Sequence, residues 1–103
     1  MADEKYLTLS EVKDLLSQVE EKTPEQKVAL EHAEKFAVLD AKKSRELVNR
    51  LLEIDYINDF LAVKIADLLP RTVTELMAVF LKERINIDAT EAKKILSIVN
   101  EYL

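Results

Sequence analysis

Six stretches of this chain repeat their apolar residues at the three-to-four-residue spacing of a helix face, and most open on a residue able to cap a helix. Thr8, with Glu11 three residues on, makes a capping box, after which Leu9, Val12, Leu15, Leu16 and Val19 share one face. Thr23-Pro24-Glu25-Gln26 repeats the device with proline at the first helical position, leading into a stripe of Ala29, Leu30, Ala33, Phe36 and Ala37 that should end near Leu39. Asp40 caps a third helix with Leu47, Val48, Leu51 and Leu52 on one side and Lys42, Lys43, Arg45, Glu46 and Arg50 on the other. From Asp59 to Leu69 the chain is apolar nearly all round, as in a helix buried on several sides, which makes this segment the expected hub of the core. Pro70 disfavours helical geometry at Leu69 and ends that helix there or just before. Thr72 with Glu75 opens a fifth helix carrying Val73, Leu76, Met77, Phe80 and Leu81, and Asp88 with Glu91 a sixth carrying Ala92, Ile95, Leu96, Val99 and Tyr102. The pattern predicts an all-α fold of about six helices joined by linkers of about 3 to 6 residues, as in compact bundles.

One segment breaks the helical period. Lys5-Tyr6-Leu7-Thr8-Leu9 alternates and is rich in strand formers. Nothing later in the chain offers a second strand, so a strand here would leave backbone donors and acceptors for another molecule to pair. The other reading is an extended lead-in to the first helix, and the residues alone leave both open. If it is a strand, Leu7 and Leu9 form an exposed apolar edge.

Composition narrows the function. The chain has 103 residues, 49% hydrophobic, enough for one modest core. Gly is absent, so positive-φ turns are expected at Asn or Asp, and there can be no P-loop, dinucleotide-binding fingerprint or standard calcium loop. Cys is absent too, which excludes disulfides, thiolate metal sites and a cysteine nucleophile, and fits a reducing, cytoplasmic setting. No secretory signal core and no membrane-length apolar run is present, so a soluble protein is expected. The net charge of −5 is unevenly spread: residues 1–39 hold five basic and nine acidic residues, 40–70 five and six, and 71–103 five and five. That balance argues against the chain acting as a main nucleic-acid contact by itself.

Candidate chemistry is sparse. His32 is the single imidazole, which excludes a multi-histidine metal site, and its helix-two setting reads as a surface histidine rather than a catalytic base. Adjacent carboxylates such as Glu20 and Glu21 read as a solvated face. Lys64 and Asp67 stand out as the only charges inside an otherwise apolar helix, three residues apart. They are either a rim ion pair or a polar anchor for a partner. Phe36, Phe60 and Phe80 fall on apolar stripes and read as core. No catalytic residue, cofactor or metal ligand is expected.

The run Ala62-Val63-Lys64-Ile65-Ala66-Asp67-Leu68-Leu69-Pro70 resembles the signature of the F-type stalk subunits of archaeal DNA-directed RNA polymerase, a family related to the fourth-largest subunit of eukaryotic RNA polymerase II. Tyr6-Leu7-Thr8-Leu9-Ser10-Glu11 is similar to that family's start, Glu25-Gln26 with Val28-Ala29-Leu30 and Glu34-Lys35-Phe36-Ala37 to its second helix, and Ile95 to Tyr102 to its closing helix. The resemblance is collinear over almost the whole chain. It implies a non-catalytic stalk subunit that forms a heterodimer with the companion E-type stalk subunit and through it joins the polymerase core, helping promoter opening and the handling of emerging RNA. The E-type subunit would supply most of the RNA-binding surface, so contact with nucleic acid would be mainly indirect. The resemblance further implies a partner-binding part over residues 1–39, whose N-terminal segment joins a sheet of the E-type subunit, and an HRDC-like helical domain over 40–103. Carried onto residues, it places Tyr6, Leu7 and Leu9 in sheet pairing and Val12, Leu15 and Phe36 in helix contacts. Lys64 and Asp67 complete the candidate interface as its polar anchor. The sequence departs from the family where a Gly follows the third helix: Asp55-Tyr56-Ile57-Asn58 stands there instead. Two other classes remain for comparison. A stand-alone HRDC-like nucleic-acid-binding module would need Arg71, Lys82, Arg84, Lys93 and Lys94 on one face, and a small helical enzyme would need a cleft with converging polar groups.

Overall fold

The structure, a computed structural model, describes residues 6–103. It is all-helical: α1 Leu9–Ser17, α2 Pro24–Phe36, α3 Ala41–Leu51, α4 Asp59–Leu68, α5 Val73–Lys82 and α6 Ala89–Asn100. Each helix starts on a side-chain oxygen that accepts an amide of the first turn: Thr8, Thr23, Asp40, Asn58, Thr72 and Asp88. Thr8, Thr23 and Asp88 also donate their own backbone N–H to the side chain three residues on, completing a capping box. Caps of this kind contribute about 1 kcal/mol each, which matters for helices of three turns that would not hold alone.

The core belongs to the last four helices. Leu47, Val48 and Leu51 of α3, Leu61 and Ile65 of α4, Leu76 and Phe80 of α5, and Ile95 and Val99 of α6 are all wholly buried and contiguous. The expected hub is there: α4 buries Leu61, Ala62, Val63, Ile65 and Ala66. It packs on α3 and α5, while α6 closes the bundle against α3 and α5. By contrast, α1 and α2 form a hairpin in which Ala33 is the one buried apolar residue among those described. That hairpin reaches the bundle chiefly through α1 against α3. It makes the molecule elongated, 47 × 32 × 22 Å with a radius of gyration of 14.5 Å, where a compact domain of this size has about 13 Å.

Several expectations are corrected. Of the two readings left open for residues 5–9, no strand forms among the described residues: Tyr6 and Leu7 lead into α1, Thr8 is extended as its N-cap, and Leu9, assigned to sheet pairing, is instead the first residue of α1. Lys5, the first residue of the strand candidate, lies outside the described residues. The second helix ends at Phe36 rather than near Leu39, because Ala37 turns to extended geometry and the Leu39 carbonyl accepts the Ser10 hydroxyl instead of continuing the helix. The positive φ angles fall on Leu69 (47°) and Arg84 (60°), not on Asn or Asp. Asp55 to Asn58, standing where a family glycine was expected, needs no left-handed residue.

Both left-handed residues have a reason. After Leu69 comes Pro70, which has no N–H, so α4 can end only by the simple left-handed cap, with Leu69 N–H bonded to Ile65 O at 2.8 Å. Leu69 is 6% exposed, and burying a leucine stabilises by about 1.5 to 3 kcal/mol, enough to offset a left-handed penalty of roughly 1 to 2 kcal/mol. Arg84 sits at the corresponding place after α5 in a Schellman motif, with Arg84 N–H to Leu81 O at 2.9 Å and Ile85 N–H to Phe80 O at 3.0 Å. Its side chain is exposed and offsets nothing. Arg84→Gly is therefore expected to stabilise the chain by about 0.5 to 1 kcal/mol, read as a rise of roughly 2 to 8 °C in Tm. A fall in Tm would show that the side chain contributes more than its backbone costs.

Candidate partner interface

The hairpin is fastened to the bundle by polar groups that meet around Thr8. This residue is wholly buried, and Ser10 and Ser44 nearly so. Thr8 Oγ1 lies 2.7 Å from Ser44 Oγ and accepts the Glu11 amide at 3.2 Å. Ser44 donates its one proton to Ala41 O at 3.1 Å, so Thr8 is the donor between the two hydroxyls. Every member of this relay is satisfied, which is what allows hydroxyls to sit at a buried junction. Ser10 adds a bond from its hydroxyl to Leu39 O across the base of the hairpin.

Around the relay sits an ion pair. Arg45 grips Glu11 with two bonds, Nε to Oε2 at 2.8 Å and Nη2 to Oε1 at 2.5 Å, with the side chains 17% and 18% exposed. The same Nη2 donates to Tyr6 O at 2.8 Å, and Glu11 Oε1 accepts the Thr8 amide at 2.9 Å. Burial pushes the Glu11 carboxyl up, but the bonds from Arg45 and from the Thr8 amide outweigh it and hold the group below its ordinary range. On α4, Asp67 Oδ1 accepts the Leu9 amide at 2.9 Å, capping a further orphan donor of α1. Burial raises the Asp67 carboxyl, and that amide bond only partly opposes the rise. Arg45 was expected on a polar outer face; it reaches inward because the α1 start crosses α3 there.

The candidate residues divide into two groups. Tyr6 and Lys64 come together on Phe60 near the start of α4: the Tyr6 ring meets Phe60 edge-on at 5.6 Å between centroids, and Lys64 Nζ stands 5.1 Å over the Phe60 ring. Tyr6 is 54% exposed, Leu7 40% and Phe60 37%, an open apolar surface. Leu9 and Asp67 are joined by their hydrogen bond rather than lying free, and Val12 is half-buried. Lys64 and Asp67 do not pair with each other; among the described residues the ion pairs are Glu11–Arg45 and Arg50–Glu101. Leu15 and Phe36 are both more than half exposed, at opposite ends of the hairpin, Leu15 toward its tip and Phe36 at its base. Phe36 and Phe60, read as core from their stripes, are surface residues, and only Phe80 is core. His32 is exposed beside Phe36, 4.7 Å between rings.

Sequence reasoning missed Thr8 and Ser44 as a buried pair, Arg45 as the clamp on Tyr6, and Val28 as an exposed apolar position. The signal for Val28 existed, since it does not lie on the stripe of helix two. No catalytic constellation emerges among the described residues. Among the described residues no group of three or more His, Cys, Asp or Glu side chains could hold a metal ion. A groove of about 350 Å³ beside α5, lined by Met77, Leu81, Ile85 and Ile87 among others, contains no titratable side chain. Among the described residues no helix is long and apolar enough to cross a membrane.

Two comparisons agree with this reading of an accessory chain. The family model described as RNA polymerase Rpb4 matches residues 6–103, every residue that the structure describes. DNA-directed RNA polymerase subunit Rpo4 of Methanocaldococcus jannaschii is 37% identical over 103 residues, covering 97% of this chain and 86% of that protein. A match across all six helices and both parts of the molecule shows that the chain belongs to the RNA polymerase Rpb4 family.

Proposed function

We propose that this chain is the F-type stalk subunit of an archaeal RNA polymerase, pairing with the E-type stalk subunit in a heterodimer that supports promoter opening and guides emerging RNA. The family assignment carries the coarser part of this statement: a non-catalytic subunit of DNA-directed RNA polymerase. The finer part rests on one observation, the open apolar surface of Tyr6, Leu7 and Phe60 at the end of an extended segment held against the bundle. Residues 1–39 would form the partner-binding part and residues 40–103 the HRDC-like part, with cytoplasmic location following from the role. The helix contacts would be made by Leu15, Phe36 and Val12, with Lys64 on the rim beside Phe60. Nucleic acid would be reached mainly through the E-type subunit, in keeping with the net charge of −5.

The test is co-expression with the candidate E-type partner, purification through a tag on that partner alone, and comparison with a chain lacking residues 1–7, which leaves Thr8 to cap α1. The full-length chain is expected to co-purify in equal amount and the truncated chain to be reduced at least about tenfold, the loss of roughly 1.4 kcal/mol or more of binding. Absence of the full-length chain from the purified partner would sink the assignment of partner. Salt-sensitive binding of RNA by the isolated chain would then favour the nucleic-acid module.

A further inference from the structure

Thr8 is extended, and the hydrogen bonds of residues 6–8 alternate between two edges. Thr8 has φ −73° and ψ 162°. Its side chain turns inward to Ser44, the Tyr6 ring turns to Phe60 on the same body, and Leu7 between them is 40% exposed. In an extended chain the side chains alternate between two faces, and the N–H and C=O of one residue point together toward one edge while those of its neighbours point toward the other. The hydrogen bonds follow this second alternation. The Tyr6 carbonyl goes to Arg45 and the Thr8 amide to Glu11, both on one edge. On the opposite edge, neither the N–H nor the C=O of Leu7 has a partner among the described residues.

We infer that the Glu11–Arg45 ion pair closes one edge of residues 6–8, so that a partner strand adds only on the other edge, by exchanging backbone bonds with Leu7. This rests on the proposed pairing with the E-type subunit and specifies how it is made. The ion pair takes the place that a neighbouring strand would occupy: its guanidinium supplies the donor and its carboxylate the acceptor that such a strand would offer. It thereby fixes the extended geometry before the partner arrives, which lowers the ordering cost of strand addition. It also removes one of the two edges through which a bare strand would associate wrongly. The occupant that fits is an extended backbone edge, because it offers a donor and an acceptor at the spacing of the Leu7 N–H and C=O and can cover the apolar Leu7 side chain beside them.

Proline substitution reads the edges separately, because it deletes one backbone N–H without touching a helix. The affinity of the full-length chain for the E-type subunit is compared in the pairs Leu7→Pro with Leu7→Ala and Tyr6→Pro with Tyr6→Ala. Proline at position 7 is expected to weaken binding about tenfold or more beyond alanine, and proline at position 6 less than about threefold beyond alanine. In a chain that also carries Arg45→Gln the guanidinium clamp on the Tyr6 carbonyl is lost and the first edge is partly opened, Glu11 still holding the Thr8 amide, and the gap between the two positions is expected to narrow. Equal penalties at 6 and 7 would overturn the inference while leaving the heterodimer intact. A gap unchanged by Arg45→Gln would remove the ion pair from it. Failure of the unaltered chain to bind the E-type subunit at all would overturn the proposed function and this inference together. Circular dichroism of the Arg45→Gln chain confirms that six helices remain, so that lost binding is not read from an unfolded protein.

Discussion

Replacing Phe80 with alanine is expected to cost about 3 to 5 kcal/mol, the usual range for emptying a buried phenylalanine site. Phe80 is wholly buried on α5, two residues before its end, and faces Tyr56 at 6.2 Å between ring centroids. The ring therefore ties α5 and the turn after α3 to the core at once, while the α5–α6 loop is held by the Phe80 backbone carbonyl, which alanine keeps. A chain of this length has a total stability of roughly 5 to 15 kcal/mol, so the loss removes about a fifth or more of it. In a thermal melt Tm should fall by on the order of 15 to 30 °C. Copurification with the E-type partner should be lost near the lowered Tm as well, since α3 and α4 are the platform for residues 6–8. A drop equivalent to less than about 1 kcal/mol would mean that neighbouring side chains collapse into the site and that the packing here is looser than the complete burial of Phe80 indicates.

The second large effect is local. Thr8→Val keeps the shape of the side chain but removes the acceptor of the Glu11 amide and the donor to Ser44. Loss of an N-cap costs about 0.5 to 2 kcal/mol, and loss of a buried hydrogen bond about 1 kcal/mol more. The hairpin has little to set against this, since Ala33 is its one buried apolar residue among those described. Amides of α1 and α2 are then expected to exchange about 10 to 100 times faster, while those of α3 to α6 keep their rates. Residue-resolved hydrogen exchange measures both. Equal acceleration in all six helices would show that hairpin and bundle open as one unit, and that the polar junction is as binding as the apolar core.

The bundle was legible because its signals are local. Thr8, Thr23, Asp40, Thr72 and Asp88 mark helix starts by residue type and spacing alone, and the continuous apolar run of α4 announces a helix buried on several sides. The candidate interface was only half legible. Leu15 and Phe36 lie on stripes, and a stripe does not say whether the surface it meets belongs to the same chain; here both remain open. Thr8 with Ser44, and Tyr6 with Arg45, join residues far apart in sequence through single polar contacts, which leave no period to detect. The left-handed residues were misplaced for another reason. In a chain without Gly the demand for positive φ is set by how a helix must end, and the positions after α4 and α5 fell to Leu69 and Arg84, one held by burial and one by the hydrogen bonds of its motif.

The order in which the helices touch has a kinetic consequence. In the bundle, α3 meets α4, α4 meets α5 and α5 meets α6, each the next in sequence, and only α6 against α3 reaches back over the whole bundle. Chains dominated by such short-range contacts fold in roughly microseconds to milliseconds, because little loop entropy is lost before contacts form. The bundle can complete itself without the hairpin, whose docking site on α3 and α4 does not exist until those helices have met. Thr8 thus finds Ser44, and Leu9 finds Asp67, only once α3 and α4 have met. The N-terminal segment is therefore expected to dock after that pair has formed, so its presentation to a partner would report that α3 and α4 are already in place.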